Sequence, residues 1–336
     1  MDSPLMKVYG CGGCGINLTS QMQVPVLDGY TAVEKVLIDT SESNVKDNKD
    51  IPFFHVPGMN GAGKNRMVAH KGAVDQVNAM LQEHKPGTIN IVLFSLSGGS
   101  GSVLGPLIAA ELVKRGAQTI CMVVGSITSA KEAANSRSTL LTLESLATKV
   151  VKKPITVAYF ENTVKDDNPQ GSNLGVRTTV DAKLLDSVDK LAMLSSERND
   201  EFDREDLGNM LDYTRVTQVP PQLVDLIITG KPDRLSSLTG KAISVASLLT
   251  GRDVQTPDLS QLYSAVGYYP SFVLEKTEAA AGHKLPELSF VISHVMRTPR
   301  TAHFDSVISD YKKTEEALVE EAATEVESTD DGFVFD

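Results

Sequence analysis

The stretch SLSGGSGSVLGP, Ser95 to Pro106, follows the apolar run INIVLFSL (Ile89–Leu96) and leads into a helical pattern. Its first eleven residues hold four glycines and four serines. Glycine permits tight turns and lets backbone N–H groups converge. Such a loop therefore either turns the chain or cradles an oxygen-rich anion at a helix start. The rest of the sequence favours the cradle. Two more glycine loops, GCGGCGINL (Gly10–Leu18) and GMNGAGKNR (Gly58–Arg66), each follow a strand-like run and precede a helical one. Three such loops together predict a nucleotide with several phosphates. The candidate contacts are Gly10, Cys11, Gly12, Gly13 and Cys14 in the first loop, and Gly61, Ala62, Gly63 and Lys64 in the second. Ser97, Gly98, Gly99, Ser100, Gly101 and Ser102 form the third, where the serine hydroxyls are expected to donate further bonds.

Working outward, the chain alternates apolar runs with helical patterns. Strands are expected at Met6–Gly10, Val33–Asp39, Ile51–Val56, Ile89–Leu96, Ala117–Gly125 and Ile155–Phe160. Helices are expected at Lys64–Gln82, Val103–Lys114, Ala130–Lys149 and Val176–Ser196. Continuous apolar strands between helices predict a mainly parallel sheet covered on both faces, with ligands at the strands' C-terminal ends. A polar, acidic stretch, SSERNDEFDREDLGNML, follows the long helix. Beyond Tyr213 a smaller mixed domain is expected, with strands at Leu223–Thr229, Val266–Leu274, Leu288–Met296 and near His303–Ser309, and a helix over Gly240–Leu249. The acidic end is expected to begin as a helix and finish as a tail.

Composition narrows the function. The 336 residues suffice for two domains. A net charge of -11 argues against general binding to nucleic-acid phosphates. No apolar run is long enough for a membrane span. Three cysteines in a long chain imply a reducing compartment, so a cytoplasmic protein is expected.

Several short motifs compete with the three-loop reading. Gly10, Gly12 and Gly15 fit a dinucleotide fingerprint, with Asp39 as its ribose acid, which keeps a Rossmann-type oxidoreductase as the alternative. That reading leaves the other two loops idle. Gly58–Lys64 fits most of a Walker A motif, but Asn65 stands where Ser or Thr is required. Cys11 and Cys14 form C-x-x-C without a second close pair, so they read as small loop cysteines.

The run SGGSGS resembles the signature loop of the tubulin/FtsZ family, G-G-G-T-G-[ST]-G, with Ser97 at its first glycine, Ser100 at its threonine and Val103 at its last glycine. The first loop resembles the FtsZ version in length, with Asn17 at the motif's Asn. The second resembles the loop near the terminal phosphate, and the order of all three agrees. The likeness covers roughly residues 5 to 310 and within the family looks closest to the PhuZ-type phage tubulin-like proteins. It implies a GTP-binding domain over 1–175, a central helix over 176–197, a catalytic loop region over 198–212, an activation domain over 213–310 and an acidic helix and tail over 311–336.

The resemblance also implies an activity. Family members bind GTP, polymerise head to tail and hydrolyse it to GDP where the next subunit inserts an acidic loop. Mg²⁺ is then held mainly by phosphates and water. Asp203 and Asp206 fall at the two loop acids, with Asp200 and Glu205 as rivals. Asp181 falls at the base-reading acid, and its carboxylate suits guanine N1 and N2. Arg137 resembles the arginine near the nucleotide; Glu132 or Asn135 could meet the ribose, and Lys64 and Arg66 the phosphates. The ending DDGFVFD implies a tail that contacts a neighbouring subunit through Phe333, Val334 and Phe335 with Asp330, Asp331 and Asp336. The expected task is a filament that positions phage DNA or its replication compartment in the bacterial cytoplasm. A tubulin-like scaffold without hydrolysis is the other alternative.

Overall fold

A computed structural model describes residues 5–22, 31–45, 48–162, 173–196, 202–229, 242–249, 263–269, 288–295 and 299–328. The described residues contain a ten-stranded sheet with helices on both faces. In chain order the first half runs β1 (Leu5–Cys11), α1 (Gly12–Gln21), β2 (Ala32–Asp39), β3 (Phe53–His55), α2 (Arg66–Ala73), α3 (Val77–Glu83), β4 (Ile89–Ser95), α4 (Gly101–Lys114), β5 (Gln118–Ser126), α5 (Ala130–Ser145) and β6 (Ile155–Asn162). A π-helical turn, Leu146–Val151, extends α5. The second half runs α6 (Asn173–Leu194), α7 (Arg204–Leu211), β7 (Leu223–Thr229), β8 (Ala242–Leu249), β9 (Tyr263–Tyr269), β10 (Leu288–Val295) and α8 (Pro299–Ser328).

The sheet order is β3-β2-β1-β4-β5-β6-β7-β10-β8-β9, and β1 to β7 are all parallel. β10 runs antiparallel to both β7 and β8. The central strands read as unbroken apolar runs because both their faces are covered; Ile89 to Phe94 are all buried. One face packs Leu18 of α1, Met22 directly after it, Val180, Leu184, Val188 and Leu191 of α6 and Leu207 and Met210 of α7. The other packs Met80 of α3, Leu104, Ile108 and Leu112 of α4, Leu140 and Leu143 of α5 and Phe304 of α8.

Two edges follow from this topology. The top edge holds the C-terminal ends of the parallel strands. β1 hands the chain to one side, toward β2, and β4 hands it to the other, toward β5. The top of β1 and β4 is thus a topological switch point, where α/β sheets bind ligands. The bottom edge holds the N-terminal ends. α6 carries the chain from top to bottom over 22 residues, about 33 Å at helical rise. At its lower end the Ser195 hydroxyl lies 3.1 Å from that of Thr31, which precedes β2.

Several expectations need correction. The segment Gly240–Leu249, expected as a helix, is strand β8 from Ala242, paired with β10 and β9. Its alternating Ile243, Ser244 and Val245 outweigh the helix-forming alanines and leucines. His303–Ser309, expected as a strand, belongs to α8. Phe304, Val307 and Ile308 sit at i, i+3 and i+4 and reach the same core, which is helical spacing. Lys64–Gln82 is two helices rather than one. β9 accounts for the first part of Val266–Leu274; the remainder lies outside the described residues. The smaller domain's strands continue the main sheet, joining it where β7 meets β6 over Ile155–Val157 and Leu223–Asp225.

Candidate functional site

At the top edge the three glycine loops touch one another. Gly12 has φ +68°, and a Cβ on it would lie 2.6 Å from the Gly101 backbone nitrogen. A Cβ on Gly101 would in turn meet the Cys11 carbonyl oxygen at 2.6 Å. The first and third loops therefore close on each other only because both residues are glycine. Across the third loop, a Cβ on Gly99 would lie 2.9 Å from the Lys64 backbone, so the second loop joins the same cluster. Thr40, directly after β2, ties them together. Its hydroxyl lies 2.6 Å from that of Ser100, and its carbonyl accepts from the Gly61 N–H at 2.6 Å.

The N-termini of α1, α2, α4 and α5, which all begin at this edge, differ. The Asn65 side chain caps α2, accepting from the Met67 and Val68 N–H groups at 3.0 and 3.4 Å. Ser129 caps α5, accepting from the Glu132 N–H at 3.2 Å. α1 and α4 have neither a side-chain cap nor an acid in the first turn. They begin at Gly12 and Gly101, the two residues in contact. Two uncapped N-termini, each with its partial positive charge, thus converge at the switch point. That arrangement fits an anion with several oxygens.

The remaining candidates have defined places. The Ser102 hydroxyl is buried and donates within its own loop to the Gly98 carbonyl at 2.5 Å, so its proton serves the turn rather than a ligand. Ser97 and Ser95 share a hydroxyl contact of 2.9 Å, and the Asn135 amide donates to the Ser97 carbonyl at 3.0 Å. Lys64 pairs with Glu132 at 2.8 Å. Burial pushes the Glu132 carboxyl up, but hydrogen bonds from Lys64, Thr128 and Ser126 outweigh it and hold it down at about 2. Arg66 turns toward α5 and donates to the Thr142 hydroxyl at 3.1 Å. Arg137 is paired with Asp305 of α8. That pair ties it to the C-terminal helix. Asn17 is exposed on the second turn of α1, and Asp181 sits in the upper part of α6.

Two competing motifs have structural explanations. Asp39 is 2% exposed, and its carboxylate accepts from the Thr40 N–H at 2.7 Å and the Asn44 amide at 3.2 Å. It braces the turn beneath Gly13 instead of facing a ribose. Cys11 is fully buried, and burial, with Asp39 and Cys121 nearby, pushes its thiol well above the usual range. Burial likewise pushes Cys121 up to about 12. Neither supplies a thiolate at neutral pH. Thr40 and Asn44 escaped sequence reasoning; their one signal is position, immediately after a parallel strand at the ligand edge.

The two predicted loop acids sit at the other edge. They form the start of helix α7, not a loop. The Asp203 carboxylate accepts from the Glu205 and Asp206 N–H groups at 2.7 and 2.9 Å, and Asp206 accepts from the Asp203 N–H at 3.1 Å. This reciprocal pair is a capping box. Gln118, the first residue of β5, donates to the Arg204 carbonyl at 2.9 Å, and the Thr156 hydroxyl, at the start of β6, meets the Leu211 carbonyl at 3.4 Å. α7 is thus fastened to the bottom edge. β5 has nine residues, so the acids lie about 25–30 Å from the glycine loops of their own chain. A polar cleft of about 490 Å³, bordered by Lys153, Arg204 and Arg215, also opens at the bottom and is no part of the glycine cradle. Asp200 and the tail residues Asp330, Asp331, Phe333, Val334, Phe335 and Asp336 lie outside the described residues.

Sheet order, central helix and converging glycine loops define a protein of the tubulin/FtsZ class. The solved PhuZ201 filament superposes with a TM-score of 0.74 at 22% identity, over 94% of this chain and 92% of that one. The phage tubulin PhuZ with GDP gives 0.74 at 22%, over 93% and 92%. A phage tubulin-like protein of Pseudomonas phage PhiPA3 is 30% identical over 250 residues, 74% of each chain. No protein-family model matches the sequence. The chain belongs to the phage tubulin-like proteins.

Proposed function

We propose that this protein binds GTP at the top edge, assembles head to tail, and hydrolyses the nucleotide only where two copies meet. One observation carries the reading: the phosphate cradle and the acid pair occupy opposite edges of one rigid sheet. In a single copy they are too far apart to act on one phosphate. Stacking the bottom of one copy on the top of the next brings them together. The relatives support it, since one is a filament and another holds GDP.

The α1 and α4 N-termini would hold the phosphates, with Gly10–Cys14, Gly61–Lys64 and Ser97–Ser102 shaping the cradle. Asp181 and Asn17 remain our candidates for the guanine, while the Asp305 pair makes Arg137 a weaker one. Among the described residues no group of three or more His, Cys, Asp or Glu could hold a metal ion. As the resemblance implies, we assign the donors for Mg²⁺ mainly to phosphate and water oxygens. When bound, that ion would offset phosphate charge. Asp203 and Asp206 of the neighbouring copy would orient the attacking water and take its proton. The division into a GTP-binding part, a central helix, a catalytic segment, an activation part and a tail belongs to the same proposal. So do the tail's contact with a neighbour, cytoplasmic residence in the host and the positioning of phage DNA.

The test is light scattering with parallel phosphate release as GTP is added, with GDP and NAD as controls. Scattering that rises only with GTP, and release that climbs steeply with protein concentration, are expected. Release strictly proportional to protein concentration would remove the shared site.

A further inference from the structure

We infer that the polar cleft at the bottom edge is a second ligand site, built for a small phosphate monoester whose remaining body carries hydroxyl groups, as in a sugar phosphate. The site lies within one copy and depends neither on GTP nor on assembly. One wall is formed by the N-terminal ends of β4, β5 and β6, the other by α7 and the turn after it. The volume of about 490 Å³ falls in the range of small-molecule pockets and far exceeds the needs of a lone phosphate ion. Charge selects the anion. Three cations, Lys153, Arg204 and Arg215, and two acids, Glu205 and Asp212, line the cleft. Arg215 is paired with Glu205, and Asp212 accepts from the Thr214 hydroxyl. Among the described residues, Lys153 and Arg204 pair with no carboxylate. The chain holds 43 acidic side chains against 32 basic ones, so two cations left without a carboxylate at one cleft stand out from its composition.

The two unpaired cations belong to different walls. Lys153 lies just before β6, and Arg204 is the first residue of α7. A phosphate monoester has enough oxygens to face both, and a guanidinium fork suits it. The α7 wall is shaped for its polar groups. Gly208 lies inside α7, where glycine weakens a helix. A Cβ there would lie 2.1 Å from Arg215 Nη1 and 3.1 Å from Gln118 Nε2. The glycine thus lets the guanidinium and the amide lie against the helix. Gln118 Nε2 donates to the Arg204 carbonyl at 2.9 Å, which fixes Oε1 as the acceptor of that amide. Oε1 is buried and has no partner among the described residues. A buried acceptor without a donor is costly, and a ligand hydroxyl is the donor this cleft can admit. Thr88 and Thr119 add hydroxyls to the lining. The lining residues include no aromatic ring to stack on a base, which favours a sugar over a nucleoside.

Isothermal titration of glucose 6-phosphate into isolated copies tests this. GDP is kept in excess to fill the upper cradle, and the protein stays below its assembly concentration. One saturable site is expected. Inorganic phosphate should bind more weakly, because it brings no sugar hydroxyl to Gln118, and glucose should give no saturable heat. Lys153→Ala and Arg204→Ala should each weaken glucose 6-phosphate binding at least about tenfold. Circular dichroism melts should show both variants folded. In wild type, saturating glucose 6-phosphate should raise the melting temperature, and that rise should shrink in both variants. No saturable heat up to about 10 mM would overturn the site. So would wild-type affinity in both folded variants, since the ligand would then sit elsewhere on the molecule. Inorganic phosphate bound as tightly as glucose 6-phosphate, or glucose bound as tightly as its phosphate, would overturn the ligand class.

Discussion

Replacing Gly12 by alanine probes the meeting of α1 and α4. Gly12 holds φ +68°, a left-handed backbone that costs a residue with a Cβ about 1–2 kcal/mol. The added carbon would lie 2.6 Å from the Gly101 nitrogen, about 0.8 Å short of the 3.4 Å where ordinary contact begins. The obstructing atom is backbone, so no rotamer relieves it, and the first loop must back away from α4. A phosphate bridging both N-termini then loses one charge-assisted N–H bond, about 1.5–3 kcal/mol. GTP affinity should fall about 10- to 100-fold.

Gly116→Ala is the matched control. Gly116 has φ +78°, follows α4 at the bottom edge and has nothing within 4 Å of an added Cβ. It carries the backbone strain without the collision. Circular dichroism melts should show both variants destabilised, Gly12→Ala more so. Anisotropy titration with a fluorescent GTP analogue, below the assembly concentration, should show weakened binding for Gly12→Ala alone. Wild-type affinity in Gly12→Ala, or equal losses in both variants, refutes the assignment of the phosphates to this junction.

Three further outcomes are expected. Asp206→Ala should assemble yet release phosphate slowly, giving long-lived filaments. Asp206→Asn, which keeps an oxygen for the Asp203 N–H, should show the same slowing with the capping bond retained, and fast turnover in both would move the role to Asp203. Glu132→Gln should destabilise the fold at neutral pH by about 1–2 kcal/mol, because Lys64 is more than half exposed and solvent screens its share. The Glu132 carboxyl is held at about 2 against an ordinary 4.5, so its contribution is complete above about 4.5 and lost as pH falls toward 2. Melts of the two proteins should converge over that range, and a constant gap would sink the assignment. Deleting Ser328–Asp336 should impair filament yield in a sedimentation assay while leaving nucleotide binding by isolated copies intact.

The sequence exposed most of the nucleotide half of the fold, because its signals are local. Ile89–Leu96 is apolar on both faces, and a fully buried parallel strand has no other appearance. The loop glycines are legible because Gly12, Gly99 and Gly101 meet backbone too closely for a Cβ, while Gly58, Gly61 and Gly63 hold a positive φ. Residues that act through a neighbour were hidden. Thr40 and Asn44 look like ordinary turn residues, and only the fold brings them beneath the loops. Ser102 and Arg137 were legible as polar groups near the right motif, but hydrogen bonding commits one to the Gly98 carbonyl and the other to Asp305. β8 and the start of α8 were misread because propensity and pattern conflicted. In α8 the deciding fact, Phe304 in the core, is tertiary.

The acids at the bottom edge illustrate how much position matters beyond identity. As isolated carboxylates in a loop, Asp203 and Asp206 would need ordering at each encounter, and that entropy would oppose assembly. Instead the capping box uses Asp203 Oδ1 and Asp206 Oδ2 to fix both side chains against α7. Gln118 fixes α7 against β5, the strand beside β4, which leads into the signature loop. The sheet therefore sets the distance between one copy's acids and the same copy's cradle. In the proposed filament, a rigid-body approach would bring the next copy's phosphates to an acid pair that the capping box has already ordered. A Gln118→Ala change, which loosens α7 without touching either acid, should lower phosphate release at saturating GTP more than it raises the assembly concentration. Equal effects on both would mean that α7 is ordered by the contact itself, and that the capping box serves only the helix.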